Sequence, residues 1–430
     1  MRLTGLLLAL ALIVAAVFES GSLFFAVAVV AVVALGVRFW MRRVTAGLRI
    51  DRHFERRLFF GETTTVTLEI HNGSALPIPW LLVHESLPGA IATPGVVSQV
   101  LSLKGHETGT VTYQLTGRRR GFHAVGPLTL TIGDVFGLAR TAVQVPEQPH
   151  LIVYPRILAP GELDLPTLAL FGNVRSRRRT LGDPARVAGV RDYAPGDPLH
   201  DIHWRATAAV GALQVKQYQP ATTIQTMIFL DLHGPGYTAA SAAAALYATD
   251  FAVTVAATVA HYLIGRRQEV GLVTNGRLVL PPAHDVASTD TPTVLLERAA
   301  GDPLVASAAR TPAGSVEVTA APIPPGKGRG HLMRLLELLA RVELQERGDP
   351  LVTVLNRHSV SLPWGSTAVV ITGTPSDQLF MTLHRLREAG ALVVLFLVAR
   401  RPDQAALEAR ARALGIRLHA VWQDSDVEVI

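Results

Sequence analysis

The chain has 430 residues, of which 49% are hydrophobic and 17% charged, and its mean hydropathy is +0.31. Soluble domains carry about 25% charged residues, so the composition excludes a plain cytosolic globule, and the length predicts roughly three structural units. The absence of cysteine excludes disulfides, thiolate metal sites, iron–sulfur clusters and cysteine nucleophiles, while the net charge of +6 is an arginine charge, with Lys104, Lys216 and Lys327 the only lysines.

Two apolar runs open the sequence, Leu3–Phe18 and Leu23–Val37, separated by the polar break Glu19-Ser20-Gly21-Ser22. Each approaches the ~20 helical residues needed to cross a hydrocarbon core, and Phe39, Trp40 and Met41 extend the second as an interfacial end. A weakly basic start followed at once by a second run favours a helical hairpin over a cleaved signal peptide. Arg2 precedes the pair and Arg38, Arg42 and Arg43 follow it, which places both ends in the cytoplasm. The expectation is a multi-pass anchor in the inner (cytoplasmic) membrane over residues 1–43, with the bulk of the chain cytoplasmic. The arginines that follow, Arg49, Arg52, Arg56 and Arg57, read either as contacts to anionic headgroups or as a solvated strand edge.

Residues 44–157 change character. Thr63–Ile70 alternates at a period of two and ends on the turn His71-Asn72-Gly73, and Ile78–His84, Gly109–Leu115 and Leu128–Ile132 repeat the pattern. Short strands at this spacing predict a beta-sandwich of immunoglobulin-like type, without its disulfide. Arg118-Arg119-Arg120-Gly121 reads as a solvated turn between strands.

Residues 158–222 hold a basic loop, Arg175–Arg179, and then Val190-Arg191-Asp192-Tyr193-Ala194-Pro195-Gly196-Asp197-Pro198-Leu199-His200-Asp201-Ile202-His203-Trp204-Arg205-Ala206-Thr207-Ala208. Pro195-Gly196-Asp197 is a turn signal. His200 and His203 with Asp201 between them are metal-ligating residue types, but two histidines at i, i+3 lack a third ligand. The stretch resembles the signature of the bacterial family called domain of unknown function 58, R-E/D-Y-x-x-G-D-x-x-x-x-I-x-W-x-x-S/T-A-R. Arg191, Asp192, Tyr193, Gly196, Asp197, Ile202, Trp204, Thr207 and Ala208 fall on it, and Ala209 stands where the family has arginine. Arg120-Gly121, Asp134-Val135-Phe136-Gly137-Leu138 and Val153-Tyr154-Pro155 are similar to further family elements. The resemblance implies a von Willebrand factor A-like domain on a membrane anchor, associated with MoxR-type AAA+ ATPases.

From Thr223 to the end, apolar strands alternate with helical patterns. Strands are expected at Ile224–Leu230, Glu269–Thr274 with a hairpin partner at Arg277–Leu280, Thr367–Thr372, Ala391–Val398 and Arg417–Trp422. Helices are expected at Tyr237–Ile264, His331–Glu346, Gln378–Ala389 and Gln404–Leu414. Such alternation predicts a parallel sheet covered on both faces, an α/β domain of Rossmann-like type over residues 223–430. The alanine-rich Tyr237–Ile264 helix is long enough to span a bilayer but is expected as the buried first helix of the sheet, with Asp250 near its middle. Pro281–Gly330 reads as a long loop, and Pro324-Pro325-Gly326-Lys327-Gly328-Arg329-Gly330 lacks the spacing of a phosphate loop and reads as a flexible entry to the next helix.

A-type domains hold a divalent ion through D-x-S-x-S at a strand tip. Here the segment is Asp231-Leu232-His233-Gly234-Pro235, with both serines replaced, and Thr372-Gly373-Thr374 offers no aspartate after the later strand. The ion site at Asp231 and His233 therefore reads as degenerate. With no catalytic or cofactor motif and no nucleic-acid reader motif beside the arginines, the expectation is a non-catalytic, membrane-anchored scaffold or adaptor that binds protein, and the family resemblance implies a MoxR-type ATPase as the partner. The alternative is an uncharacterised hydrolase using Asp197, His200, Asp201 and His203, which requires those side chains to converge.

Overall fold

The structure, a computed structural model, describes residues 21–92, 95–134, 140–146, 149–159, 182–194, 197, 199–220, 225–237, 242–280, 299–310, 316–346, 348–360 and 362–429. The first apolar run, the basic loop Arg175–Arg179, Val135–Leu138 and Gly196 lie outside these residues. Two compact units form: Met1–Arg156 with Arg277–Ala321 and Leu336–Glu343, and Ile157–Gly276 with Pro322–Leu335 and Leu344–Ile430.

In the first unit the second apolar run is one helix, Gly21–Gly47. Its Phe25–Gly47 portion is long and apolar enough to cross a membrane and is almost entirely uncovered by protein. The last turns behave differently. Met41 and Val44 enter the core of the β region, and the Trp40 indole donates to the Pro77 carbonyl at 3.0 Å. Gly73 donates its N–H to the otherwise orphaned carbonyl of Gly47 at 2.9 Å, and a Cβ there would sit 2.7 Å from that oxygen. The glycine of the predicted turn is thus required by the close approach of a helix end.

Two antiparallel sheets follow. One orders Leu48–His53, Thr63–Asn72 and Thr108–Thr116; the other orders Val96–Leu103, Ile78–Ser86, Leu128–Gly133 and Arg140–Val145. Thr63–Asn72 alternates exposed and buried positions, as its period of two demands. Val66, Leu68 and Ile70 of the first sheet share one core with Leu81, Val83, Leu130 and Ile132 of the second. Inside it, the Arg52 guanidinium bridges Glu85 at 2.7 Å, the Tyr113 hydroxyl donates to the other carboxylate oxygen at 2.5 Å, and Glu85 is fully buried. Arg52 is therefore neither a lipid contact nor a solvated edge residue, and it links the two sheets.

Arg120 is likewise no solvated turn residue. Its guanidinium donates to the carbonyls of Leu339 and Val342, at 3.0 and 2.6 Å, capping the carbonyl end of the Arg329–Arg341 helix. Gly121 beside it has φ +139, a conformation open to glycine alone. Arg277–Leu278 does not form the expected hairpin. It joins a small antiparallel sheet with Val305–Arg310, Val316–Ala320 and Val342–Glu343, so the segment read as one long loop carries strands of its own.

The second unit contains a six-stranded sheet in the order Ile323–Gly326, Glu269–Thr274, Gln225–Leu230, Thr367–Thr372, Leu392–Leu397, Arg417–Ala420. Every pairing is parallel except that of Ile323–Gly326, which is antiparallel. Pro324 and Pro325 thus sit on an edge strand, where a missing N–H costs no ladder bond, rather than in a flexible entry. One sheet face buries Met227, Phe229, Val370 and Leu395 against Leu355, Phe380, Leu383 and Leu407 of three helices. The Ala242–Gly265 helix packs on the central strands, with Ala252, Val253, Val255 and Ala256 buried. It passes the length and hydropathy test for a span, yet most of it is covered by its own unit. The helix expected over His331–Glu346 stops at Arg341, and a further helix, Leu351–Ser359, escaped the pattern.

Burial raises the Glu85 pKa, against the lowering effect of Arg52 and the Tyr113 hydrogen bond. The folded state then holds this proton more tightly than the unfolded chain. The contribution is full below the unfolded carboxylate value and is lost as pH rises through the folded one. Arg52→Met is expected to cost about 3–5 kcal/mol by stranding a buried carboxylate. In urea unfolding of the detergent-solubilised chain, Glu85→Gln is expected to remove a decline in stability between pH 4 and the raised folded value. An unchanged pH profile contradicts this.

Candidate functional site

The signature lies on a two-stranded antiparallel ribbon, Gly182–Asp192 with Gln214–Pro220, and on the turn and short helix between them. Asp197 is buried, and Arg191 grips both of its carboxylate oxygens at 2.7 Å. The Ala194 N–H adds a third bond at 3.0 Å, and the Asp197 N–H returns to the Ala194 carbonyl. Donating these hydrogen bonds to Asp197 holds the Arg191 pKa even higher than usual. Asp192 accepts from the Gln214 amide at 2.6 Å, and Tyr193 donates its backbone N–H to Leu213. Ile202 is buried in a bridge to Val215.

His203 caps the Trp204–Val210 helix. Its Nδ1 accepts from the Ala206 N–H at 3.1 Å, so that nitrogen carries no proton and belongs to an N-cap rather than to a metal. The Thr207 hydroxyl accepts from the Gln214 N–H at 3.0 Å, and Gly211, at φ +76, closes the helix by donating to the Thr207 carbonyl. His200 stands in solvent with its ring 3.5 Å from Asp201. Asp197, His200, Asp201 and His203 therefore do not converge: one is sealed under an arginine, one caps a helix, and two meet at the surface. Among the described residues no group of three or more His, Cys, Asp or Glu is placed to hold a metal ion. Ala209 is exposed, so the arginine missing from the signature leaves no buried partner behind.

Several polar members of the signature are engaged internally and Ile202 is buried, whereas Trp204 and apolar residues around the signature face outward. The Trp204–Val210 helix has no buried residue, and Leu199, Trp204 and Val210 are 70%, 68% and 64% exposed, with Val190 and Leu213 also exposed. Larger exposed apolar patches mark interaction sites, and these exposed side chains fall within one short segment of the chain. No spacing rule in the sequence signalled this, because an isolated Trp in an amphipathic-looking run reads equally well as core.

At the sheet tip, Asp231 is buried and saturated with donors. Asn275 Nδ2 and the His233 backbone N–H reach Oδ1 at 2.8 and 3.2 Å, and the Thr372 hydroxyl reaches Oδ2 at 2.7 Å. Asn275 Oδ1 accepts from the Leu232 N–H at 2.7 Å, which fixes the amide with its NH2 toward the carboxylate. The Tyr237 hydroxyl donates to the Asp231 carbonyl at 2.6 Å, and burial followed by the charge of Asp231 raises its pKa well above the usual phenol value. His233 meets Asp231 through its backbone, so an imidazole–carboxylate pair is not formed. A cation needs lone pairs where this site presents N–H and O–H groups, so the residues do not fit an ion. Asn275, absent from the sequence reading, completes the network from the neighbouring strand end.

Residues 189–316 match the family described as protein of unknown function DUF58. The chain is also 22% identical over 249 residues to the uncharacterized protein YeaD of Bacillus subtilis (strain 168), covering 55% of this chain and 57% of that protein. The match thus spans just over half the length of the curated relative. Among solved structures, the CARDB domain of a Pyrococcus furiosus protein is 15% identical with a TM-score of 0.19, covering 25% of this chain and 91% of that one. A fragment of Escherichia coli alpha-2-macroglobulin is 19% identical with a TM-score of 0.21, covering 27% and 19%.

Two outcomes test the geometry. Asp197→Ala is expected to release the turn, speeding hydrogen exchange at the Ala194 and Gln214 amides by roughly tenfold or more; unchanged exchange there contradicts the fastening role. Thr372→Val is expected to destabilise the second unit by about 1–3 kcal/mol, while millimolar Mg2+ leaves the thermal midpoint of the unaltered chain unchanged. A midpoint that rises with Mg2+ would show that the Asp231 site takes the ion.

Proposed function

We propose that the chain is a membrane-anchored, non-catalytic adaptor whose signature ridge, Leu199, Trp204 and Val210, binds a protein partner. In this reading the two-sheet region is an immunoglobulin-like spacer, and the six-stranded unit is a von Willebrand factor A-like domain without its ion. The observation that carries it is the short helix with no buried residue, which follows a turn closed by the buried Asp197 and its bonds to Arg191. Exposing that much apolar surface costs free energy at about 25 cal/mol per Å2, a cost recovered when a partner covers it. The partner class is the MoxR-type AAA+ ATPase that the family resemblance implies. The Gly21–Gly47 helix supports anchoring, since its apolar surface lacks protein cover and its arginines Arg38, Arg42 and Arg43 gather at the end joined to the β region. By the positive-inside rule that end, and all that follows, is cytoplasmic.

Because the chain has no cysteine, a single introduced thiol reports topology without background. Ser98→Cys, at an exposed position, is expected to resist a membrane-impermeant maleimide in intact spheroplasts and to react after lysis. Labelling before lysis reverses the orientation. For the partner, Trp204→Asp is expected to weaken co-purification with a purified MoxR-type ATPase by tenfold or more, the scale of an interface hot spot, without shifting the unfolding midpoint. Equal recovery with both chains overturns the assignment of the ridge.

A further inference from the structure

The parallel strands of the second unit have two ends, and Asp231 occupies only one of them. At the other, where Gln225–Leu230 and Thr367–Thr372 begin, there is a cavity of about 280 Å3. Met227, Val273 and Ile323 give it an apolar wall, prolines of the 322–325 and 362–363 segments line it, and Gln225, His358 and Ser366 supply polar groups. The register explains the set. Thr226 pairs with Thr367, so Gln225 and Ser366, one residue earlier on each strand, stand on the same sheet face as Met227. The Pro-bearing edge strand and the end of the Leu351–Ser359 helix border the same space.

Two features distinguish this cavity from a packing gap. First, Ser366 is 3% exposed and its Oγ has no hydrogen-bond partner among the described residues, although buried hydroxyls are nearly always paired. Second, the described lining residues include no Asp, Glu, Lys or Arg. The titratable group among them, His358, has its pKa lowered by burial and then by Arg357, which keeps the ring uncharged at neutral pH. An unpaired hydroxyl in an uncharged, largely apolar and partly open pocket asks for a ligand with an apolar body and one hydrogen-bonding atom. An apolar cavity of about 150 Å3 already takes up benzene, so this volume admits a substituted ring. Flat proline and imidazole surfaces suit such a ring better than a flexible chain.

We propose that this cavity is a binding site for a compact, uncharged ring-bearing ligand of the phenol class, whose hydroxyl pairs with Ser366. The site is independent of the signature ridge, and the two proposals stand or fall separately. The experiment titrates p-cresol and, in parallel, toluene into the full detergent-solubilised chain labelled at the methionine methyls, following Met227. Comparing the two probes in the unaltered chain and in Ser366→Ala cancels their partition into detergent. Both probes are expected to give saturable Met227 shifts. The preference for p-cresol over toluene is expected to fall by about fivefold in Ser366→Ala, the worth of one hydrogen bond of about 1 kcal/mol. Val273→Phe, which fills the space, is expected to abolish the shifts with both probes. No saturable Met227 shift, the mark of a cavity that holds water alone, overturns the proposal, as does a p-cresol preference untouched by Ser366→Ala.

Discussion

A buried carboxylate cannot stay charged without compensation, and the signature of this chain is built around one. Leaving Asp197 unpaired inside the protein would cost several kcal/mol. Arg191 meets both its oxygens, and a backbone N–H closes the turn behind it. The turn that this bond set closes feeds directly into the Leu199–Asp201 turn and the His203 cap. The Trp204 helix follows in a direction it could not choose alone, since a seven-residue helix is far too short to be stable by itself. The exposed Trp204 and Val210 are therefore presented by a helix that follows a turn closed by an ionic lock.

The same logic recurs through both units. Glu85 is buried under Arg52 and Tyr113, Arg341 is buried against Asp302 and under the Phe122 ring, and Asp231 is enclosed by Asn275 and Thr372. Each acidic group has been given donors rather than a metal or an open cleft. At the sheet tip, threonine and asparagine point hydrogens at the carboxylate, and a cation would have to displace a network whose amide is fixed by Leu232.

Much of the architecture was legible because it follows from periodicity. Thr63–Asn72 declares its buried face by alternation, and the parallel strands Glu269–Thr274, Thr367–Thr372 and Leu392–Leu397 declare theirs by uninterrupted apolar runs. What escaped were pairings set by distant chain. Arg277–Leu278 turns away from its sequence neighbour to pair with Thr319 and Val342, and Arg120 finds its carbonyls more than two hundred residues on. Of the site, Asp197 and Trp204 were marked by resemblance, but their division of labour was not. A motif gives residue types in order, whereas burial decides that the aspartate locks and the tryptophan displays. Asn275 and Ser366 carried no local signal at all, since their roles exist only after the strands assemble.

The central claim is that the indole of Trp204 is held in solvent by the free chain and covered by a partner. Fluorine NMR of the chain labelled with 5-fluorotryptophan, with Trp204 assigned by its substitution to Phe, reads this directly. The account predicts the solvent isotope shift of a fully exposed indole in the free chain, and its loss when a purified MoxR-type ATPase is added. A Trp204 resonance already shielded from solvent in the free chain would contradict it.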